Sequence, residues 1–312
     1  MPSPAFQTPP NFLNHLDVPA QANVALATRT WYRTGGAAAV YAQPENVEQL
    51  AAVLDCCAKH DVPFFVLGAG ANLLVADAGV DGVVIRLDAP AFKTMDIDAA
   101  SGRVVAGAGL DLFKLVPATA KSGLDGLVQV AGIPASIGGA VRMNAGGGPG
   151  DIAHGIARVR VMEHDGTICD LARDQIHFGY RHTNIAAPLI LETEFALDRG
   201  DAVELTATYK TLYAAKLAAQ PMGDKSAGCC FKNPPADHAD GAAAGQLIDR
   251  AGLKGFRIGG AEVSPRHANF VTAAAGQTTT ADILAVMTHV QETVERQFGV
   301  QLQREVVVWG ET

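Results

Sequence analysis

Residues 64–87, FFVLGAGANLLVADAGVDGVVIRL, set a glycine loop between two apolar runs. Short runs rich in Val, Leu and Ile, bounded by glycine, read as strands. The order is therefore strand, glycine loop, strand. A Rossmann fingerprint requires a helix to open at its glycines, and no amphipathic helix follows here. The loop Gly68, Ala69, Gly70, Ala71, Asn72 still offers successive backbone N–H groups without bulky side chains. Such a nest holds a pyrophosphate without net positive charge, although for a lone GxG an ordinary glycine turn is the better reading.

Ahead of this loop, VEQLAAVLDCCAKH carries Val47, Leu50, Leu54 and Cys57 at helical spacing, which predicts a helix over 45–59. After it, RVVAGAGLDLFKLVPATAKSGL reads as strand, glycine turn and helix. GLVQVAGIPASIGGAVRMNAGGGPG is dense in glycine and has few large polar side chains, a composition that lets backbone approach a flat ligand closely. VRVMEHDGTICDL is a hairpin turning at Asp165-Gly166. IHFGYRHT then sets Arg181 beside Tyr180, ahead of a strand in LILETEFAL.

From about Asp201 the character changes. KTLYAAKLAAQP is helical and stops at proline, KSAGCCFKNP is extended, and AAAGQLIDRAGL is a short helix ending in glycine. TADILAVMTHVQETVERQFG is a long amphipathic helix with Ile283, Leu284, Met287, Val290, Val294 and Phe298 on one face and Gly299 at its C-cap. QLQREVVVWGE closes the chain as a strand. The expected division is an N-terminal extension over 1–30 and units over 31–87, 88–200 and 201–312.

The 312 residues exceed one typical core, and the formal charge of −8 argues against nucleic acid, whose phosphates need a basic face. No apolar run reaches the roughly 18 residues of a membrane span. MPSPAFQTPPNFLNHL lacks the basic and apolar regions of a signal peptide, so a cytoplasmic protein is expected. The five cysteines are odd in number and lack disulfide-like spacing. Cys56, Cys57 and Cys169 read as packing residues. Cys229 and Cys230 have neither a CxxC frame nor a histidine partner for zinc.

Seven segments in order carry a family resemblance: TWYRTGG, LGAGANLLVAD, GIPASIGGAVRMNAG, FGYRHT, SAGCCFKNP, GLKGFRIGGAEVSPRHANF and QREVVVWGE. Over about Trp31 to Glu311 the chain resembles the UDP-N-acetylenolpyruvoylglucosamine reductase (MurB) family, in its shorter form without a mobile tyrosine-bearing loop. The resemblance implies an α+β fold: two FAD-binding subdomains of the vanillyl-alcohol oxidase type, then an α+β substrate-binding domain. It implies non-covalent FAD, NADPH as hydride donor and a nucleotide-sugar substrate, in the cytoplasmic synthesis of peptidoglycan precursor on which cell wall, cell shape and division depend. A monomer is expected.

The resemblance also assigns residues. Gly68, Ala69, Gly70, Ala71, Asn72 and Leu73 would take the FAD pyrophosphate. Gly132, Ile133, Pro134, Gly138, Gly139, Ala140, Asn144, Ala145 and Gly146 would line the isoalloxazine and its linker. Arg181 matches the catalytic arginine and Glu305 the catalytic carboxylate. Cys229 occupies the position of a proton-donating serine. Tyr180, Lys216, Lys232, Asn233 and Asn269 would face the nucleotide sugar.

A free thiol with a pKa of about 8.5 is protonated at neutral pH and can serve as that acid. Alternation along an extended segment turns Cys230 to the opposite side, into the core. Two other functions share these features. One is a flavin- or nucleotide-sugar-binding homologue without the activity, since the serine is absent. The other is a flavin oxidase on the same cofactor fold.

Overall fold

The computed structural model describes residues 7–235, 239–274 and 276–310. Glu311, the last residue of the QREVVVWGE segment and of the family resemblance, lies outside them. So do residues 1–6 of the expected N-terminal extension and residue 312 of the expected third unit.

The first sheet contains β1 (Ala20–Ala25), β2 (Ala37–Ala42), β3 (Phe64–Val66) and β5 (Val80–Ile85), in the order β1-β2-β5-β3. β1 runs antiparallel to β2, whereas β2, β5 and β3 are parallel. Between β2 and β3 the chain forms α1 (Val47–Lys59), capped by the Asn46 side chain on Gln49 N–H. The expected start at 45 thus moves to the residue after that cap. β4 (Leu73–Val75) follows the glycine loop and pairs in parallel with the C-terminal strand Val307–Trp309.

The second sheet is antiparallel and five-stranded. It contains β6 (Met95–Asp98), β7 (Arg103–Gly107) and the strands Ile156–Met162, Ile168–Ala172 and Leu189–Ala196. α2 (Leu112–Lys121) and α3 (Ile137–Arg142) lie on this unit. One hydrophobic cluster joins α1 (Leu50, Leu54, Cys57) to both sheets (Val83, Ile85, Val104, Val159, Phe195). Burial of this apolar surface makes the two subdomains share a core.

Two boundaries differ from those read in the sequence. The segment expected as an extension supplies β1 and buries Leu13 and Leu26, so it belongs to the first subdomain. α4 (Ala202–Ala219) packs on α2, with Leu205 and Tyr209 against Ala120 and Val128, so it belongs to the second. The C-terminal unit beyond it holds α5 (Ala244–Arg250), a three-stranded sheet and α6 (Thr280–Phe298). Gly299 ends α6 in the left-handed region at φ 68°. Its core takes Tyr32 and Leu74 from the first subdomain.

Candidate active site

The cofactor loop, residues 68–72, connects β3 to β4. The N–H groups of Gly68 to Asn72 have no protein partner among the described residues. Gly70 sits at φ 66°, and a Cβ there would come within 2.5 Å of Arg29 O. Ser136 caps α3 by accepting from Gly139 N–H, and its Oγ would lie 2.5 Å from a Cβ on Gly68. Loop and helix start therefore approach so closely that only glycine fits, leaving open N–H donors over a glycine-lined floor. That is the geometry a pyrophosphate and an attached flat ring require.

A cavity of about 390 Å³ runs from this loop past Gly132, Ile133, Pro134, Gly139, Ala140, Ala145 and Gly146 to Arg181, Lys216, Cys229 and Glu305. Of the residues expected at the cofactor, Gly138 lines only the adjoining cavity of about 380 Å³. Asn144 lines neither. It is buried beneath them, and its Nδ2 donates to Asp151 Oδ2 and to Gly179 O, both at 3.0 Å. One of these bonds ties down the turn that carries Arg181, and Asn144 Oδ1 is buried without a protein partner among the described residues.

That turn is a two-residue hairpin loop, Tyr180-Arg181, between the short strands Phe178–Gly179 and His182–Thr183. Arg181 adopts φ 54°, a left-handed conformation that non-glycine residues rarely take and that clusters at functional sites. Its Nε donates to Glu305 Oε1 at 2.5 Å, and its guanidinium stands 5.0 Å from the Tyr180 ring centroid. Burial pushes the Glu305 carboxyl upward, and the Arg181 charge opposes that shift. Burial also works against the Arg181 charge, but Glu305 outweighs it and raises the guanidinium pKa.

Cys229 and Glu305 are held by two segments that meet at an isolated bridge between Phe231 and Arg304. Cys230 N–H donates to Asn269 O, Glu305 N–H to Cys230 O and Lys232 N–H to Gln303 O. Extended geometry sends Cys229 into the cavity and Cys230 into the C-terminal core, where its Sγ meets Tyr32 Oη at 3.6 Å. All five cysteines are free. Burial, with Glu305 and Cys230 adding to it, pushes the Cys229 thiol up to about 12. This differs from the ordinary thiol value expected from sequence. Cys229 is held firmly protonated, and Arg181 and Lys216 offset only part of the shift. Burial likewise draws the Lys216 pKa down.

The residues expected at the nucleotide sugar divide. Lys216 lines the main cavity. Tyr180, Lys232 and Asn233 line a neighbouring cleft with Gln303, where Asn233 N–H donates to Tyr180 Oη at 3.2 Å. Asn269 braces the segment that carries Cys229. It is buried, its Oδ1 accepts from Phe231 N–H and its Nδ2 donates to Phe231 O. The sequence reading missed Ser136, Arg142 and Trp309, all of which line the main cavity. Only Ser136 had a local sequence signal, as a capping residue ahead of a glycine-rich turn of helix.

The fold and the cavity define a flavoprotein of the vanillyl-alcohol oxidase type. An FAD binding domain matches residues 38–172, and the 6-hydroxy-D-nicotine oxidase of Arthrobacter nicotinovorans has the same fold at a TM-score of 0.57 and 14% identity, covering 92% of this chain and 87% of its own. The C-terminal domain of UDP-N-acetylenolpyruvoylglucosamine reductase matches residues 220–309. That enzyme's second form from Symbiobacterium thermophilum is 38% identical over 91% of this chain and 90% of its own. The crystal structure of the reductase (MurB) from Thermus caldophilus superposes with a TM-score of 0.79 at 36% identity, covering 94% and 99%. The chain belongs to the UDP-N-acetylenolpyruvoylglucosamine reductase family.

Proposed function

We propose that this chain reduces UDP-N-acetylenolpyruvoylglucosamine to UDP-N-acetylmuramate, with NADPH as hydride donor and FAD held non-covalently, as a cytoplasmic step toward peptidoglycan. The observation that carries this reading is the meeting of Arg181, Glu305 and Cys229 at the far end of a glycine-lined cavity. When bound, FAD supplies the hydride chemistry at this cavity. Gly68 to Leu73 would hold its pyrophosphate, and the segment from Gly132 to Gly146 would line its ring system. Neither segment contains a His or Cys for covalent attachment.

Hydride addition to the vinyl carbon of the substrate leaves negative charge beside the substrate carboxylate. A cation aimed there stabilises the transition state more than the ground state. Arg181 meets that need, because a guanidinium fork addresses a carboxylate in two places at once. Glu305 orients the fork through its 2.5 Å bond to Nε. Cys229 holds the proton that the carbanion carbon takes up, and burial ensures that the proton is present at any physiological pH. Lys216 at the cavity wall, and Tyr180, Lys232 and Asn233 in the adjoining cleft, address the nucleotide sugar.

The retained C-terminal unit favours this reading over an oxidase, because both cysteine and glutamate come from it. The test is anaerobic. The yellow protein bleaches with NADPH and regains colour on adding the enolpyruvyl nucleotide sugar. Bleaching without recovery would exclude the reductase assignment while leaving flavin binding intact.

A further inference from the structure

We propose that Arg142 is the counter-charge for the FAD pyrophosphate, a proposal that rests on the reading of this chain as an FAD protein. The two cavities described above meet along a shared wall that includes Leu67, Gly68, Ala69, Ser136, Gly139 and Arg142. A dinucleotide long enough to occupy both must thread its charged middle through this junction. Arg142 is the one ionisable side chain in the shared wall.

Among the described residues its charge has no protein counter-ion. Arg142 donates through Nη1 to Ile185 O and through Nη2 to Ala187 O, each at 2.5 Å. Among the described residues no carboxylate lies within ion-pair distance of it. Of the other cations lining the two cavities, Arg86 and Lys93 pair with Asp88 and Arg181 pairs with Glu305, while Lys114 and Lys216 each line one cavity only and stand outside the shared wall. Burial pulls the Arg142 pKa downward, which marks a cation lacking compensation.

The loop itself contributes only backbone dipoles, whereas a pyrophosphate diester brings two formal negative charges. A guanidinium clamped by two carbonyls is already oriented and loses little freedom on meeting a phosphate oxygen. The competing role is a strut joining α3 to residues 185–187, which the same two bonds would serve.

The experiment measures binding of FAD and of riboflavin, which lacks phosphate, to flavin-free protein by fluorescence quenching. The variants are Arg142→Gln and Arg142→Lys. Arg142→Gln should weaken FAD by about 10- to 100-fold, the range for a lost charge-assisted hydrogen bond, and leave riboflavin unchanged. Arg142→Lys should retain most of the preference for FAD, since it keeps the charge but not the two-carbonyl clamp. Equal weakening of both ligands, or equal loss in the Gln and Lys variants, would assign Arg142 to the strut. In the unaltered protein the preference for FAD over riboflavin should shrink as salt rises, and a salt-independent preference overturns the proposal even if a variant fails to fold. If neither flavin binds the unaltered protein, the FAD reading fails, whatever Arg142 does.

Discussion

Arg181 and Glu305, 124 positions apart, meet at 2.5 Å with the arginine in a left-handed turn conformation. The hairpin comes from the second FAD subdomain and the glutamate from the segment bridged to the one that carries Cys229. The pair therefore fastens the cofactor half to the C-terminal half at the point where chemistry is expected. It is half-buried, so removing one partner leaves the other charge poorly solvated.

Arg181→Ala should leave FAD bound and reducible by NADPH but slow reoxidation by the enolpyruvyl substrate by about 10²–10³-fold, as for a lost transition-state donor. Arg181→Lys should recover little of it, because an ammonium cannot reproduce the fork. Stopped-flow on the two half-reactions checks this. Normal reoxidation in the alanine variant would remove Arg181 from the mechanism.

Cys229→Ala should accept reducing equivalents from NADPH at a near-normal rate and lose about 10²–10⁴-fold in the second half-reaction, the contribution of a general acid. Cys229→Ser should keep substantial activity, and Cys230→Ser should lose only stability, since Cys230 faces Tyr32 and the core. A dithiol mechanism predicts instead that both serine variants are dead. Full turnover by Cys229→Ala would show that the proton comes from elsewhere.

Alkali should destabilise the fold. Burial pushes Cys57 and Cys229 up to about 12 and Cys230 to about 11, against an ordinary thiol value of 9.0. Between roughly pH 9 and pH 12 the unfolded chain releases thiol protons that the folded chain retains. The stability these thiols contribute is complete below pH 9 and is lost as pH rises through that window. Urea midpoints at pH 8 and pH 10.5 measure it, and Cys57→Val should flatten the difference. An unchanged slope in that variant would place the alkaline sensitivity on other groups.

Asn269→Ala should lower stability by about 2–4 kcal/mol, because it strands the buried N–H and C=O of Phe231. Loosening of the Cys229 segment should then slow reoxidation with little change in substrate KM. A raised KM with an unchanged melting temperature would instead place Asn269 in direct substrate contact.

The elements with strong periodicity were legible in sequence. α1, the Asp165-Gly166 hairpin and α6 announce themselves through apolar spacing, turn chemistry and a glycine cap. The opposed faces of Cys229 and Cys230 followed from strand alternation alone. β1 was not legible, because AQANVA is an edge strand with most side chains exposed and no run of strong strand formers. The first half of α4 was missed because AVELTATY mixes threonines and β-branched residues, while Asp201 caps it through Val203 and Glu204 N–H. Its allegiance to α2 is tertiary, and no local pattern encodes it. The backbone partners of Asn144 and Asn269 were not legible, because a polar side chain in a glycine-rich segment looks the same whether it meets ligand or backbone. The bonds to Gly179 and Phe231 belong to the tertiary structure alone.

The parallel pairing of Val307–Trp309 with β4 also bears on when the protein can work during synthesis. Val307 N–H donates to Asn72 O, and Asn72 Nδ2 donates to Glu305 O, so the edge of the pyrophosphate loop is completed by residues translated more than 230 positions later. Contacts of such sequence separation form last and slowly. A nascent chain still held at the ribosome short of Glu305 has its glycine loop and its arginine turn but neither the carboxylate nor the bordering strand. Cofactor capture in the final loop geometry would therefore wait until Glu305 and Val307 have joined the fold.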